Sequence, residues 1–101
     1  MPRSDPRPRT RSRQPISVAF GKRVRTRREV LGLSQRVLAE KAGMDWSYVA
    51  QAERGERNIA LANMARLAIA LEVDLGDLLQ GLQDYLTEGE SVPEKGRSDK
   101  T

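Results

Sequence analysis

The side chains in this sequence best placed to do chemistry are arginines and amides, because two of the usual catalytic residue types are missing. There is no histidine and no cysteine in the 101 residues. That removes thiolate nucleophiles, histidine general bases, disulfides and His/Cys metal sites together. The acidic residues show no spacing that suggests a paired-carboxylate or metal site, so no catalytic residue, metal ligand or cofactor is expected. An enzyme would need such a group held in a cleft. What remains is recognition by charge and hydrogen bonding. Residues 1–57 carry 14 basic side chains against 6 acidic, and residues 58–101 carry 4 against 8. One half is therefore built to meet a polyanion, whether DNA, RNA or an anionic lipid surface, the plain alternative being a solvated basic face.

The elements that must position these groups are few. Only 38% of residues are hydrophobic and 4% aromatic, so a core must come mostly from Leu, Val, Ile and Ala. A chain of this length is one small domain. No stretch approaches 18 apolar residues, so neither a membrane span nor a membrane partner is expected. The N-terminus lacks the apolar segment of a secretory leader, and a cytoplasmic protein is the expectation. Residues 1–15 alternate Arg3, Arg7, Arg9, Arg11 and Arg13 with Pro, Ser and Asp. They read as a disordered basic arm able to track phosphates or reach a minor groove. Residues 87–101 read as a flexible polar tail.

Between these, residues 16–86 have a helical period throughout and no competing strand pattern. Phe20, Val24 and Leu31 share a stripe of a helix over about 17–31, with Gly32 as a left-handed cap. Ser34 caps a helix over 35–42 that buries Leu38, Ala39 and Ala42, and Gly43 closes it. Asp45 caps a helix over 46–53, with Val49 and Ala52 inward. A helix over 61–71 follows, with Leu61, Met64, Ala65, Leu67, Ala68 and Leu71 on its apolar face. Asp74 then caps a fifth over 75–86. The fold class predicted is all-α, a compact five-helix domain. The short helices 35–42 and 46–53, joined by Gly43-Met44-Asp45, have helix-turn-helix form, a corner found in many bundles.

Over residues 20–75 the chain resembles the Cro and lambda-repressor type of helix-turn-helix domain, the XRE family. The matching runs are Gly32-Leu33-Ser34-Gln35, Leu38 to Gly43, Ser47-Tyr48-Val49, Glu53 to Asn58, and Leu67-Ala68 with Ala70-Leu71. Within the family, Gly55-Glu56-Arg57-Asn58-Ile59 looks like the small controller proteins of restriction-modification systems, though it also occurs in general phage and host regulators.

The resemblance implies a bacterial or phage-encoded regulator that binds double-stranded DNA, with residues 46–53 lying in the major groove. Base contacts then fall to Trp46, Ser47, Ala50 and Gln51. Gln51 could pair bidentately with adenine, and the Trp46 indole could rest on a thymine methyl or send its N–H to a phosphate. Alternatively, Trp46 packs on its neighbours as a helix staple. Phosphate contacts fall to Arg23, Arg28, Gln35, Arg57 and Asn58. Arg28 has the alternative of pairing internally with Glu40 or Glu53. Tyr48 is expected to pack, with its hydroxyl near backbone. The chain departs from the family at three positions. Arg27 stands where relatives have Leu or Ala and is expected to snorkel outward. Ala52 stands where many have Ile, so its helix is expected to pack closer or against a bigger neighbour such as Met64. Ala60 stands where a capping Ser is usual, leaving Asn58 to take over that cap.

Family members pair as two-fold dimers over palindromic half-sites. The fifth predicted helix has more apolar residues than one core needs. Leu75, Leu78 and Leu79 are assigned inward, and Leu82, Tyr85 and Leu86 to a homodimer interface. No small-molecule effector is expected. The other functions weighed are an antitoxin or phage-type repressor working through a protein partner, and RNA binding, for which no aromatic platform on a sheet is evident.

Overall fold

The computed structural model describes residues 14–86, which form five α-helices and a final 3-10 turn, with no strand among them. The helices are α1 (Pro15–Val30), α2 (Gln35–Ala42), α3 (Trp46–Glu53), α4 (Leu61–Ala70) and α5 (Leu75–Leu79), and the turn is Leu82–Tyr85. The all-α expectation holds, and α2 and α3 run over the residues their punctuation predicts. The expected tail, and all of the expected arm but Gln14 and Pro15, lie outside the described residues. Pro15 is already helical. At the first helical position its missing N–H needs no partner, so α1 starts two residues early.

Apolar side chains at helical spacing meet in a single core. Leu38, Leu67, Leu71, Val24 and Val49 are its fully buried large members, joined by Phe20, Leu78 and Leu82. Helix α1 lies against α3, α5 and the last turn, while α2 bridges α3 and α4. Two predicted core features need correction. Leu61 is 66% exposed on the outer side of α4. The helix over 75–86 does not exist as one piece. It stops at Leu79, Gln80 leaves helical geometry, and Gly81 turns with φ +73° before the short turn begins. This break folds Leu82 back into the domain.

The seam between α1 and α3 depends on Gly21. A Cβ there would sit 2.3 Å from the Ala52 carbonyl oxygen and 2.6 Å from that of Glu53. Any side chain would push the helices apart. Ala52 is small and buried on the same seam, in keeping with the closer packing expected from it.

Candidate nucleic-acid interface

Ser34 accepts a hydrogen bond from the Val37 amide at 3.1 Å and so starts α2 at Gln35. Gly43, with φ +70°, ends it in the left-handed conformation that a side chain disfavours. After two further residues, Met44 and Asp45, α3 begins. Asp45 stands at its N-cap with extended backbone, but its side chain makes no capping bond, contrary to expectation. The start of α3 is held from behind. The Trp46 indole N–H donates to Gln35 Oε1 at 3.3 Å, and Gln35 Nε2 donates to Glu53 Oε1 at 3.0 Å. Glu53 belongs to α3 and is buried, with its side chain only 3% exposed.

Arg28 of α1 reaches the same carboxylate with both arms of its fork. Its Nε donates to Oε2 at 2.6 Å and its Nη2 to Oε1 at 3.0 Å, while Nη1 donates to the Leu33 carbonyl at 2.8 Å. The hydrogen bond to Glu53 raises the Arg28 pKa above its ordinary value. Burial opposes this, but less strongly, and the charges of Glu53 and Glu29 add to the rise. Arg28 takes its internal alternative with Glu53, so the phosphate role expected of it is corrected. Paired, bidentate geometry satisfies a charge that would otherwise be costly to bury.

The other inward arginines of α1 act on helix ends. Arg23 Nη1 donates to the carbonyls of Leu78 at 3.0 Å and Gln80 at 2.6 Å, where α5 stops. Its expected phosphate role is corrected too, since its guanidinium is engaged at the end of α5. Arg27 does not simply snorkel outward. Its Nε donates to the Leu71 carbonyl at 2.9 Å and its Nη2 to that of Glu72 at 3.4 Å, where α4 ends. Glu72 has φ +61°, so Arg27 holds a turn that L-residues resist. Terminal carbonyls of a helix lack intrahelical donors and carry its partial negative charge, which a guanidinium complements.

The outward face of α3 differs. Trp46 is 57% exposed, Ser47 is exposed, and Ala50 and Gln51 are half-buried. The Trp46 N–H expected to be available for a phosphate is instead taken by Gln35. Arg57, in the loop after α3, donates from Nε to Gln51 Oε1 at 2.5 Å. Its guanidinium carbon lies 4.7 Å from the centre of the Tyr48 ring. The Tyr48 hydroxyl accepts from Asn63 Nδ2 at 3.0 Å, a side chain where backbone was expected. Asn58 does not cap α4. Ala60 occupies that position without a side-chain bond, and Asn58 Oδ1 instead accepts from Ser17 Oγ at 3.2 Å. The structure thus brings Gln35 and Trp46 together, and Gln51 and Arg57 together, while drawing Arg23 and Arg28 away. Gly21, Arg27 and Asn63 were not singled out as site-building residues. Only Arg27 carried a sequence signal, as a charge at an otherwise apolar family position.

Among the described residues no cluster of acidic side chains could hold a metal ion, and no helix is long and apolar enough to cross a membrane.

A short helix, a glycine turn and a second short helix whose outer face is exposed and rigidly backed define a helix-turn-helix protein. The chain belongs to that family, in its XRE-type branch, and the family's helix-turn-helix profile matches residues 24–78. It is a DNA-binding transcription regulator similar to restriction-modification controller proteins. It is 38% identical over 71 residues to the control protein C.SmaI of Serratia marcescens, covering 68% of this chain and 84% of that one. It is 35% identical over 81 residues to the control protein C.BamHI of Bacillus amyloliquefaciens, covering 79% and 95%. The crystal structure of the restriction-modification controller protein C.AhdI from Aeromonas hydrophila superposes with a TM-score of 0.61 at 47% identity. That match covers 61% of this chain and 94% of that one.

Proposed function

We propose that this protein binds duplex DNA as a homodimer on two-fold half-sites and regulates transcription in the manner of a restriction-modification controller. The observation that carries the reading is the N-terminal end of α3, exposed at Trp46 and Ser47 and braced through Gln35, Glu53 and Arg28. A braced helix end holds its base-reading side chains in register with the groove. Ser47, Gln51, Ala50 and the Trp46 ring face the bases. Arg57 and Asn58 serve the phosphates, with the second amide N–H of Gln35 and the N-terminal end of α2. Arg23 and Arg28 take no part, being engaged within the fold.

We place the two-fold contact on a face other than the one the sequence suggested. Leu82 is 6% exposed and belongs to the core, and Leu86 is half-buried. Tyr85 is exposed but borders the outer side of α1 beside Val18 and Lys22. The large apolar side chains left facing solvent on one helix are Leu61 and Ile69, eight residues apart on α4, with Ile69 77% exposed. Eight residues carry an α-helix about 80° past two full turns, so both lie within one broad outer face of α4, and we place the partner copy there.

Selection of bound sequences from a random duplex pool should return an inverted repeat. Ile69→Glu should melt like the parent protein, sediment as a monomer and lose the advantage of two half-sites over one. A selected sequence without two-fold symmetry, or an Ile69→Glu protein that still dimerises, would contradict the reading or this placement respectively.

A further inference from the structure

The outward face of α3 divides lengthwise into two strips of different chemistry. Residues four apart on an α-helix stand about 40° apart around its axis, so Trp46 stands with Ala50 and Ser47 with Gln51. Ser47 and Gln51 carry side-chain hydrogen-bonding groups. Trp46 and Ala50 offer none. An indole has a single such group, its N–H, which can only donate. In Trp46 that N–H is given to Gln35 Oε1 at 3.3 Å. Gln35 is held in this orientation, because its amide nitrogen donates to Glu53 Oε1 at 3.0 Å and Arg28 grips the same carboxylate. Trp46 is nevertheless 57% exposed, so what it shows to solvent is aromatic carbon.

An apolar ring at the tip of a reading helix has one natural counterpart in the major groove. Base edges there present donors and acceptors, and the one aliphatic group among them is the C5-methyl of thymine. We propose that Trp46, with Ala50 beside it, is a specificity-determining residue that reads a pyrimidine C5-methyl group. It senses the methyl and not the base. With no free donor or acceptor, it cannot tell the O4 oxygen of thymine from the N4 amino group of cytosine. A 5-methylcytosine therefore serves it as a thymine does, while uracil and unmodified cytosine do not. This reading rests on the proposed docking of α3 in the major groove. Contact between the methyl and the ring takes apolar surface of both out of water, which corresponds to about a fourfold gain in affinity for each methyl.

The test is titration of the full-length protein on duplexes built from its selected sequence. Each thymine of one half-site is replaced in turn by deoxyuridine, which deletes the methyl and nothing else. At one position the parent protein should lose about fourfold in affinity. Trp46→Ala should bind the thymine and uracil duplexes there equally. At the same position, 5-methylcytosine opposite guanine should bind the parent about fourfold more tightly than cytosine does. The methyl then brings the same gain on either base, whatever Ser47 and Gln51 add. A defined site in which no thymine methyl matters would overturn the proposal. So would a methyl effect that survives in Trp46→Ala, or one that appears on thymine and not on cytosine. Failure of the parent protein to enrich any sequence would instead strike the docking reading itself. Trp46 lies outside the buried core, so Trp46→Ala is expected to stay folded, and the comparisons on the parent protein need no variant at all.

Discussion

Helix α1 and the surface formed by α3 and its following loop are both rich in groups that bind anions, yet they use them in opposite ways. On α1, Arg23, Arg27 and Arg28 turn inward to the ends of α5 and α4 and to the Glu53 carboxylate. On the other surface, Ser47, Gln51 and Arg57 stay near solvent and bond only to each other or to neighbours on that face. The comparison shows that a basic stretch of sequence is not the same thing as a basic surface. A guanidinium has five donors, and unpaired helix-end carbonyls compete for them as well as phosphates do. Much of the positive charge of α1 holds the helices in place so that a smaller set of groups on α3 can read.

If that contrast is right, substitutions on the two regions should separate stability from binding. The largest effect is expected at Arg28→Ala, which leaves the Glu53 carboxylate buried with only Gln35 as a partner. Breaking one side of a buried pair costs about 3–5 kcal/mol, measured as a loss of unfolding free energy in urea. Stability unchanged by this substitution would mean that Glu53 finds water readily. Next is Gly21→Ala, where the added Cβ meets backbone oxygens of α3 that cannot rotate away. Overpacking of this kind costs roughly 1–3 kcal/mol. It should also tilt the reading helix, so DNA affinity and melting temperature should fall together. Smaller again is Arg27→Gln, which loses a charged donor at the end of α4. A cost of about 1 kcal/mol is expected, with no loss of sequence preference in DNA selection.

What the sequence made legible follows from how local each signal is. The helix-turn-helix was readable to the residue because Ser34 and Gly43 act on backbone within one turn of themselves. The fold class followed from apolar spacing. The segment after α4 departs from its expected single helix: leucines at helical spacing from Leu75 to Leu86 outweigh Gly81 in the pattern, whose cost inside a helix is only about 1 kcal/mol. Once Gly81 turns, Leu82 belongs to the core and cannot serve a partner. Long-range partners were the least legible. Arg23 meets carbonyls 55 and 57 residues away, and a carbonyl leaves no mark in a sequence. Arg28 was partly readable, since Glu53 was one of two acids named for it. The pairing of Gln51 with Arg57 could have been sought from their closeness in sequence, but only the direction of the Nε–H shows which end of the amide is used.

The division between structural and DNA-facing arginines is tested most directly by salt dependence. Affinity for a selected duplex would be titrated across salt concentrations for the parent protein, Arg23→Gln and Arg57→Gln. Each phosphate contact removed should reduce the log–log slope by about 0.9. Arg57→Gln should show that reduction for each protomer bound, whereas Arg23→Gln should lower the melting temperature and leave the slope unchanged. A slope that falls as much for Arg23→Gln as for Arg57→Gln would contradict the account, because it would put the arginines of α1 on the DNA.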